Sequence, residues 1–366
     1  MKYKRIWAST LSFILCILTA TACNSEKKPE TTVPNHSVQN ATQNSAATDD
    51  SSNNTVEAPV TTDDSTQKED DLTFPYTFAD KETAIEMYLS NHEYFDGFST
   101  YDLQYKLQSK TATIEQLKEF GATQMNEFTD AEKVAIDQTM AEIEQEIKTA
   151  GYHLLKIDDI VYIKSTQKEE NDSGAYTHGS QIYLGDYVLN SLTSDDPQTK
   201  LYGKSILYHE IFHCLTRSNP DFRADMYKLI HFTVQEDDFA IPKSVKDISI
   251  SNPDVEHHNS YATFEINGKS IDCFTVLIAT KPFEKEGDSF FTCMMTALVP
   301  IDGSDTYYTP NDATNFWDIF GKNTSYVIDP EECMADNFSY ALAYGMNDMN
   351  YENPEIIQGI IDYLKK

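Results

Sequence analysis

Hydrophobic residues recur at helical spacing through the first part of the folded region, between residues 80 and 150. Within it, Thr129 and Glu132 form a capping box, and apolar residues then follow at helical spacing until Gly151, which suits a C-terminal cap. The pattern predicts several helices. We expect them to form a scaffold for the rest of the domain or, alternatively, a module that recognises a substrate.

Strand-like segments precede one long hydrophobic helix. Residues 152–164 and 181–189 have the composition of strands and are separated by a polar loop. The segment 199–218 contains no proline, and its apolar residues spread around the helix, which predicts a buried element. Asn219-Pro220 should end it, because proline disfavours the helical conformation of the residue before it.

The pattern changes again after this helix. Residues 226–232 predict a short helix or turn, and residues 248–299 contain strand-like runs separated by turns. The pair Asn267-Gly268 is a strong hairpin signal within this β-rich insert. From Thr314 the chain returns to helices, the last of them over residues 354–364. Taken together, the elements predict a mixed α+β fold.

The long helix carries the most specific motif of the chain, His209-Glu210-Ile211-Phe212-His213. Histidines four residues apart lie on one face of a helix, where two neutral imidazoles can ligate one Zn²⁺. From its position after the first histidine, Glu210 can reach a zinc-bound water and take its proton. The alternative is a chance match inside a buried helix. Two ligands fill half of a tetrahedral site, so the hypothesis requires a third.

A second helix is predicted to begin after Asp329, and it offers that third ligand. Asp329 can cap the helix, Pro330 suits its first turn, and acidic residues follow near the positive end of the helix dipole. Glu332 and Asp336 share a face, so Glu332 can bind the metal while Asp336 accepts a hydrogen bond from the far nitrogen of a ligand histidine. Glu331 is the alternative ligand, although its spacing to Asp336 favours it less.

The two motifs, H-E-x-x-H on one helix and E-x-x-x-D on another, resemble those of the gluzincin metallopeptidases, which include the thermolysin-like enzymes. The resemblance implies that His209, His213 and Glu332 hold Zn²⁺, that Glu210 is the general base, and that Asp336 orients His209. It covers two helices. The interval between the second histidine and the third ligand is far longer than in thermolysin and contains the β insert.

The resemblance also implies an architecture, a two-lobed zincin-like catalytic domain with a helical N-terminal part. Residues 74–218 would form the helical region and the upper lobe, and residues 219–366 the lower lobe with the β insert and the third-ligand helix. Gluzincins place an edge strand before the active-site helix, where it can bind an extended peptide as an added strand. We expect residues 179–185 to be this strand; an ordinary core strand is the alternative.

A peptidase also needs a group that stabilises the oxyanion or protonates the leaving amine. Tyr326 lies shortly before the third-ligand helix, and His257 and His258 lie in the β insert, so all three are candidates. His231 is expected to be structural. Serine or cysteine catalysis has no local signature in the sequence, and no phosphate-binding glycine loop is present.

The N-terminal residues 1–23 have the features of a lipoprotein signal peptide. Lys2, Lys4 and Arg5 precede an apolar run too short to span a membrane, and small residues lead to Cys23, as in a bacterial lipobox. We expect cleavage before Cys23 and attachment of a lipid to its thiol; ordinary secretory cleavage is the alternative. Residues 24–73 are polar and should form a disordered tether that anchors the folded part to the extracellular face of the membrane.

The net charge is −31, and removal of a cationic signal makes it more negative. So acidic a chain disfavours nucleic acid and anionic lipid as partners. Cys214, Cys273, Cys293 and Cys333 remain in the folded region. They permit two disulfides in three possible pairings, of which Cys273 with Cys293 is one candidate; Cys214 and Cys333 are alternatively two buried hydrophobic residues.

The sequence therefore predicts an exported, zinc-dependent peptidase that hydrolyses peptide or protein substrates through a metal-activated water. One alternative is a non-enzymatic surface-binding lipoprotein with a structural or vestigial metal site. Another is a zinc amidase that acts on a cell-wall component. Glu210 disfavours a vestigial site, because a purely structural metal site needs no general base.

Overall fold

A computed structural model describes residues 74–288, 290–347 and 349–366, which form a mixed α+β fold. The predicted signal peptide, the lipid site Cys23 and the tether lie outside these ranges. Within them, no helix has both the length and the apolar character that a membrane crossing requires.

The helices and strands are numbered separately in chain order. The helices are α1 (Lys81–Ser90), α2 (His92–Asp96), α3 (Thr100–Leu107), α4 (Ile114–Gln124), α5 (Asp130–Ala150), α6 (Asp186–Leu192), α7 (Pro197–Ser218), α8 (Pro220–Lys228), α9 (Lys243–Lys246), α10 (Phe290–Cys293), α11 (Phe316–Phe320), α12 (Pro330–Ala343) and α13 (Pro354–Leu364). The strands are β1 (Tyr76–Phe78), β2 (Met125–Asn126), β3 (Ile160–Ser165), β4 (Ala175–His178), β5 (Gln181–Leu184), β6 (Thr233–Val234), β7 (Ser260–Ile266), β8 (Lys269–Ala279) and β9 (Met294–Pro300).

The first sheet has the strand order β1-β3-β5-β4, and β2 pairs with the end of β3. Strands β1, β3 and β5 are parallel, whereas β4 runs antiparallel to β5 at the edge. The expectation that residues 179–185 form the edge strand is therefore wrong. A tight turn at Gly179, with φ of 57°, folds β4 back outside β5, so the edge strand comes from the segment expected to be a polar loop. The strand expected over 181–189 ends at Leu184, where α6 follows.

Strands β7 to β9 of the second sheet form the predicted β insert, and β6 lies before it in the chain. The strand order of this sheet is β6-β7-β8-β9, and each neighbouring pair is antiparallel. The Asn267-Gly268 hairpin is confirmed, because both residues have positive φ, at 52° and 73°, as a type I′ turn requires. The short helix expected near residues 226–232 lies earlier, since α8 begins at Pro220 directly after α7.

Local sequence rules account for the helices that carry the motifs. The capping box at Thr129 and the left-handed cap at Gly151 are both confirmed for α5. Helix α7 is buried on most of its surface, as expected, and Gly203 lets it approach α6, because a Cβ there would meet Leu192 at 2.9 Å. Helix α12 begins as predicted, with Pro330 in its first turn. One hydrophobic cluster joins α5, β3, α7, α12 and α13.

The four cysteines of the described residues are buried and free. The candidate bridge between Cys273 and Cys293 is absent, because the two residues lie at opposite ends of the β8–β9 pair. Cys273 pairs with Pro300, whereas the Cys293 carbonyl accepts from the amide of Thr280. Cys214 and Cys333 are two buried thiols, which is the alternative given for them above.

Candidate metal centre

Helices α7 and α12 pack together and bring His209, His213 and Glu332 to one point. The two imidazole rings lie one turn apart, with centroids separated by 4.9 Å. Oε2 of Glu332 is 3.1 Å from Nε2 of His209 and 3.7 Å from Nε2 of His213. One ligand atom from each residue lies within 4.8 Å of the others, so the group can hold a metal ion.

The side chain of His213 shows whether this group suits a cation. The residue is fully buried, and its Nε2 has no hydrogen-bond partner in the described structure. Buried polar atoms in folded proteins are nearly always paired, so such an atom requires an explanation. Here it faces a carboxylate and a second imidazole nitrogen, and two histidines with one carboxylate are a donor set found at catalytic zinc sites. The residues therefore fit Zn²⁺.

The far nitrogen of His209 bonds to Asp336. The distance from Nδ1 to Oδ1 is 3.0 Å, and Thr324 donates to the other carboxylate oxygen. Burial lowers the pKa of His209, but its bonds with Asp336 and Glu332 outweigh burial and raise the pKa well above its usual range. The negative charge that favours a proton on this imidazole also favours a metal cation beside it.

The far nitrogen of His213 bonds to Glu331, a contact that the sequence did not predict. The distance from Nδ1 to Oε1 is 3.0 Å, Thr216 donates to the same oxygen at 2.6 Å, and Tyr227 donates to the other. Burial alone would raise the pKa of Glu331, but His213 and Arg223 lower it to about 2. The alternative third ligand thus lies behind His213, with both oxygens already bonded.

Glu332 is held on the oxygen that faces away from the histidines. Asn252 donates to its Oε1 at 2.5 Å, and the hydroxyl of Tyr326 donates to the same atom at 3.1 Å. The residue is fully buried. Tyr326, one of the candidates for transition-state stabilisation, therefore lies at the site, where it contacts the candidate third ligand.

Glu210 is buried, and its carboxylate lies near the imidazole of His213. Its Oε2 accepts a hydrogen bond of 2.7 Å from the hydroxyl of Thr177, which belongs to the edge strand β4. This bond fixes the carboxylate between the edge strand and the metal-binding face of α7. The position suits a base that acts on a group lying along β4.

Asp254 also lies at the site, although no spacing rule in the sequence predicts it there. It lies in an irregular segment of the β insert, far from both helices in sequence, and is buried. Its Oδ1 accepts from the amide of Thr177 at 2.6 Å and lies 3.9 Å from Nε2 of His213. Burial, followed by the charge of Glu210, raises the pKa of Asp254 well above its usual range. Asn252-Pro253-Asp254 carried a turn signal but no metal-ligand spacing.

A cavity of about 350 Å³ opens beside these residues. It is lined by His209, Glu210 and Glu332 and by tyrosines that include Tyr202 and Tyr340. A small molecule or a side chain of a peptide can therefore reach the candidate metal centre.

The histidine candidates from the β insert do not line this cavity. His257 is exposed and pairs with Asp238, while Nδ1 of His258 lies 3.1 Å from the carbonyl oxygen of Thr275. His231 is exposed at the end of the turn after α8. The two insert histidines are therefore poor candidates for contact with a substrate at the metal.

Comparisons of the chain with protein-family models, with curated proteins and with solved structures found no match.

Proposed function

We propose that the protein is a zinc-dependent peptidase of gluzincin type, exported and anchored to the outer face of the membrane through a lipid at Cys23. The observation that carries this proposal is the convergence of His209, His213 and Glu332 around the unpartnered Nε2 of His213, with Glu210 beside them. A purely structural metal site would have no need of the carboxylate of Glu210, which Thr177 holds beside these residues.

When bound, Zn²⁺ would supply Lewis acidity that activates water and polarises a carbonyl group. The residues of the chain carry the rest of the proposed chemistry. Glu210 takes a proton from the attacking water at its carboxylate and later delivers it to the leaving amine. Asp336 and Glu331 hold the two imidazoles in the tautomer that presents Nε2 to the site.

Strand β4 supplies the substrate platform in this proposal. It lies at the edge of the first sheet, contacts α7, and presents Thr177 next to Glu210. An edge strand binds an extended peptide by adding it to the sheet. A two-lobed zincin-like arrangement follows if the first sheet and α7 form one wall of the cleft and the α12 region the other.

The enzymatic part is tested with a peptide library. The zinc-loaded full-length protein should cleave a subset of a proteome-derived library, as read by mass spectrometry. A chelator should abolish cleavage, and added Zn²⁺ should restore it. Cleavage that is insensitive to the chelator, or no cleavage at full zinc occupancy, would contradict the proposal.

The anchoring is tested separately by metabolic labelling. Expressed in a Gram-positive host, the full-length protein should incorporate labelled fatty acid and sediment with membranes, because a lipidated Cys23 inserts acyl chains into the bilayer. Cys23→Ser should lose the label, whereas Cys16→Ser should keep it. Equal labelling of Cys23→Ser and the wild type would rule out lipidation at this residue.

A further inference from the structure

Residues 251–256, which we name the cleft loop, separate two cavities. Ser251, Asn252 and Pro253 line both the cavity at the metal centre and a larger one of about 740 Å³ that extends past Gly179 at the end of β4. The loop has neither helical nor strand structure. Leu277 and Ile328 also line both cavities, so the loop and these two side chains lie between them.

The cleft loop occupies the polar groups of β4 that an added peptide strand would need. The amide of Thr177 donates to Asp254 at 2.6 Å, and the amide of Gly179 donates to Glu256 at 2.8 Å. The amide of Thr177 donates to Asp254 and its carbonyl accepts from Arg217, so both groups face away from β5. The carboxylates of the loop thus take the place of carbonyl oxygens of a peptide.

Arg217, at the end of α7, fastens the loop to the strand. Its guanidinium donates to the carbonyls of Thr177 and Gly179 at 3.1 and 3.0 Å, and to that of Asp254 at 3.2 Å. Its Nε also lies 2.9 Å from a carboxylate oxygen of Glu256. The guanidinium of Arg217 therefore links the cleft loop to the edge strand.

The loop also delivers a fourth metal-binding group. Asp254, Glu210 and His213 each offer an atom within 4.8 Å of the others, and all three residues are buried. Nε2 of His213 has no hydrogen-bond partner. Two buried carboxylates beside one another are unfavourable unless a cation lies between them or one carboxylate is neutral. Asp254 is thus placed to bind the same metal ion as His213.

We propose that the cleft loop closes the active site, with Asp254 as a fourth protein ligand of the metal, and that this closure leaves the enzyme latent, with only a low basal activity. The inference rests on the proposed peptidase function. A site with four protein ligands is closed, whereas a catalytic site keeps one position open. Substrate binding along β4 and opening of the metal site are then one event.

The metal part is tested by zinc affinity in the full-length protein, measured by competition with a chelator. Asp254→Asn keeps the shape and the acceptor for Thr177 but loses the charged ligand, so its zinc affinity should fall by about tenfold or more. Asp238→Asn, which changes an exposed carboxylate that precedes the β insert, is the matched control and should bind zinc as the wild type does. Unchanged affinity in Asp254→Asn would overturn the fourth-ligand assignment.

The latency is tested with Glu256→Ala, which removes contacts to Gly179 and Arg217 without touching the metal ligands. Loss of charge-assisted hydrogen bonds should shift the closed–open equilibrium and raise peptide hydrolysis by about tenfold. The amide of Gly179 should exchange hydrogen faster, while Asp238→Ala should change neither. Wild-type hydrolysis or wild-type exchange in Glu256→Ala would overturn the latency.

The two proposals fail in different ways. If Asp254→Asn loses zinc affinity and Glu256→Ala speeds amide exchange, but neither variant nor the wild type cleaves any peptide, then the closed metal site stands and the peptidase function falls. If the wild type is already as active as Glu256→Ala, the peptidase function stands and the latency falls.

Discussion

The two candidate histidine ligands bond to carboxylates that differ in burial. His209 bonds to Asp336, whose side chain is 20% exposed at the cleft. His213 bonds to Glu331, whose side chain is 7% exposed and also contacts Thr216, Tyr227 and Arg223. The first carboxylate serves mainly the metal centre, whereas the second also joins α7, α8 and α12.

This difference indicates that Asp336 mainly affects metal binding, whereas Glu331 also stabilises the fold. Loss of a partly exposed carboxylate leaves a gap that water can fill. Loss of a buried carboxylate leaves hydrogen-bond donors and a cation without a partner, which costs far more. We therefore expect the two carboxylates to have similar effects on zinc binding but unequal effects on folding.

The largest effect is expected for Glu331→Ala. It removes the acceptor for Thr216 and Tyr227 and a buried negative charge near Arg223. The free energy of unfolding of the zinc-free protein should fall by about 3–5 kcal/mol, as measured by urea denaturation. Glu331→Gln, which keeps the shape, should lose less. A loss below about 1 kcal/mol in Glu331→Ala would show that the network does not stabilise the fold.

Asp336→Ala should separate metal binding from folding. Zinc affinity should fall by about 10–100-fold, because the far nitrogen of His209 loses the partner that orients the ring. The free energy of unfolding without zinc should fall by only about 1 kcal/mol. Chelator competition and urea denaturation of the same preparation give both values. A stability loss equal to that of Glu331→Ala would remove the distinction between the two carboxylates.

Glu169, a buried carboxylate outside the site, should differ from Glu331 in how it changes the free energy of unfolding with pH. Burial raises the pKa of Glu169 from 4.5 to about 7, whereas the pKa of Glu331 is lowered to about 2. A raised folded-state pKa gives stability that is present below the unfolded pKa and lost as the pH rises through the folded pKa. Between pH 4.5 and about 7, Glu169 should therefore cost the zinc-free protein up to about 3 kcal/mol.

Urea denaturation at a series of pH values measures this slope. Glu169→Gln should make it shallower, because the amide does not titrate, while Asp102 and Asp329, whose pKa values burial raises to about 6 and about 7, still contribute. Glu331 is ionised throughout this window, so Glu331→Gln should leave the slope unchanged. A slope as steep in Glu169→Gln as in the wild type would assign the titration to other groups.

The smallest effect is expected for Tyr326→Phe. It removes one of two hydrogen bonds to Oε1 of Glu332, while Asn252 retains the other. Zinc affinity should fall by no more than about tenfold, since one hydrogen bond contributes about 1 kcal/mol. A much larger loss of turnover than of zinc affinity would instead indicate contact with the substrate.

The parts of the site that depend on local rules were predictable from the sequence. The spacing within α7 and α12, the cap at Asp329 and the hairpin at Asn267-Gly268 are all short-range features, and the structure contains each of them. Asp336 was also named in advance, because it lies one turn from Glu332 on the same helix.

The parts that depend on tertiary contacts were not predictable. The sequence predicts a loop where β4 forms, since nothing in a polar segment shows that it folds back outside its neighbour. Glu331 bonds to His213 because α7 packs against α12, and Asp254 lies in an irregular segment that contacts the same site. The spacing of residues in a single sequence does not predict such contacts between distant elements.

The most direct test of the central claim compares zinc-loaded wild type with Glu210→Gln. The amide is nearly isosteric, keeps the acceptor for Thr177, and cannot take a proton. Both proteins should bind close to one Zn²⁺ per chain, and hydrolysis of any peptide cleaved by the wild type should fall by about 10²–10⁴-fold or more in Glu210→Gln. Full hydrolysis by zinc-loaded Glu210→Gln would contradict the account.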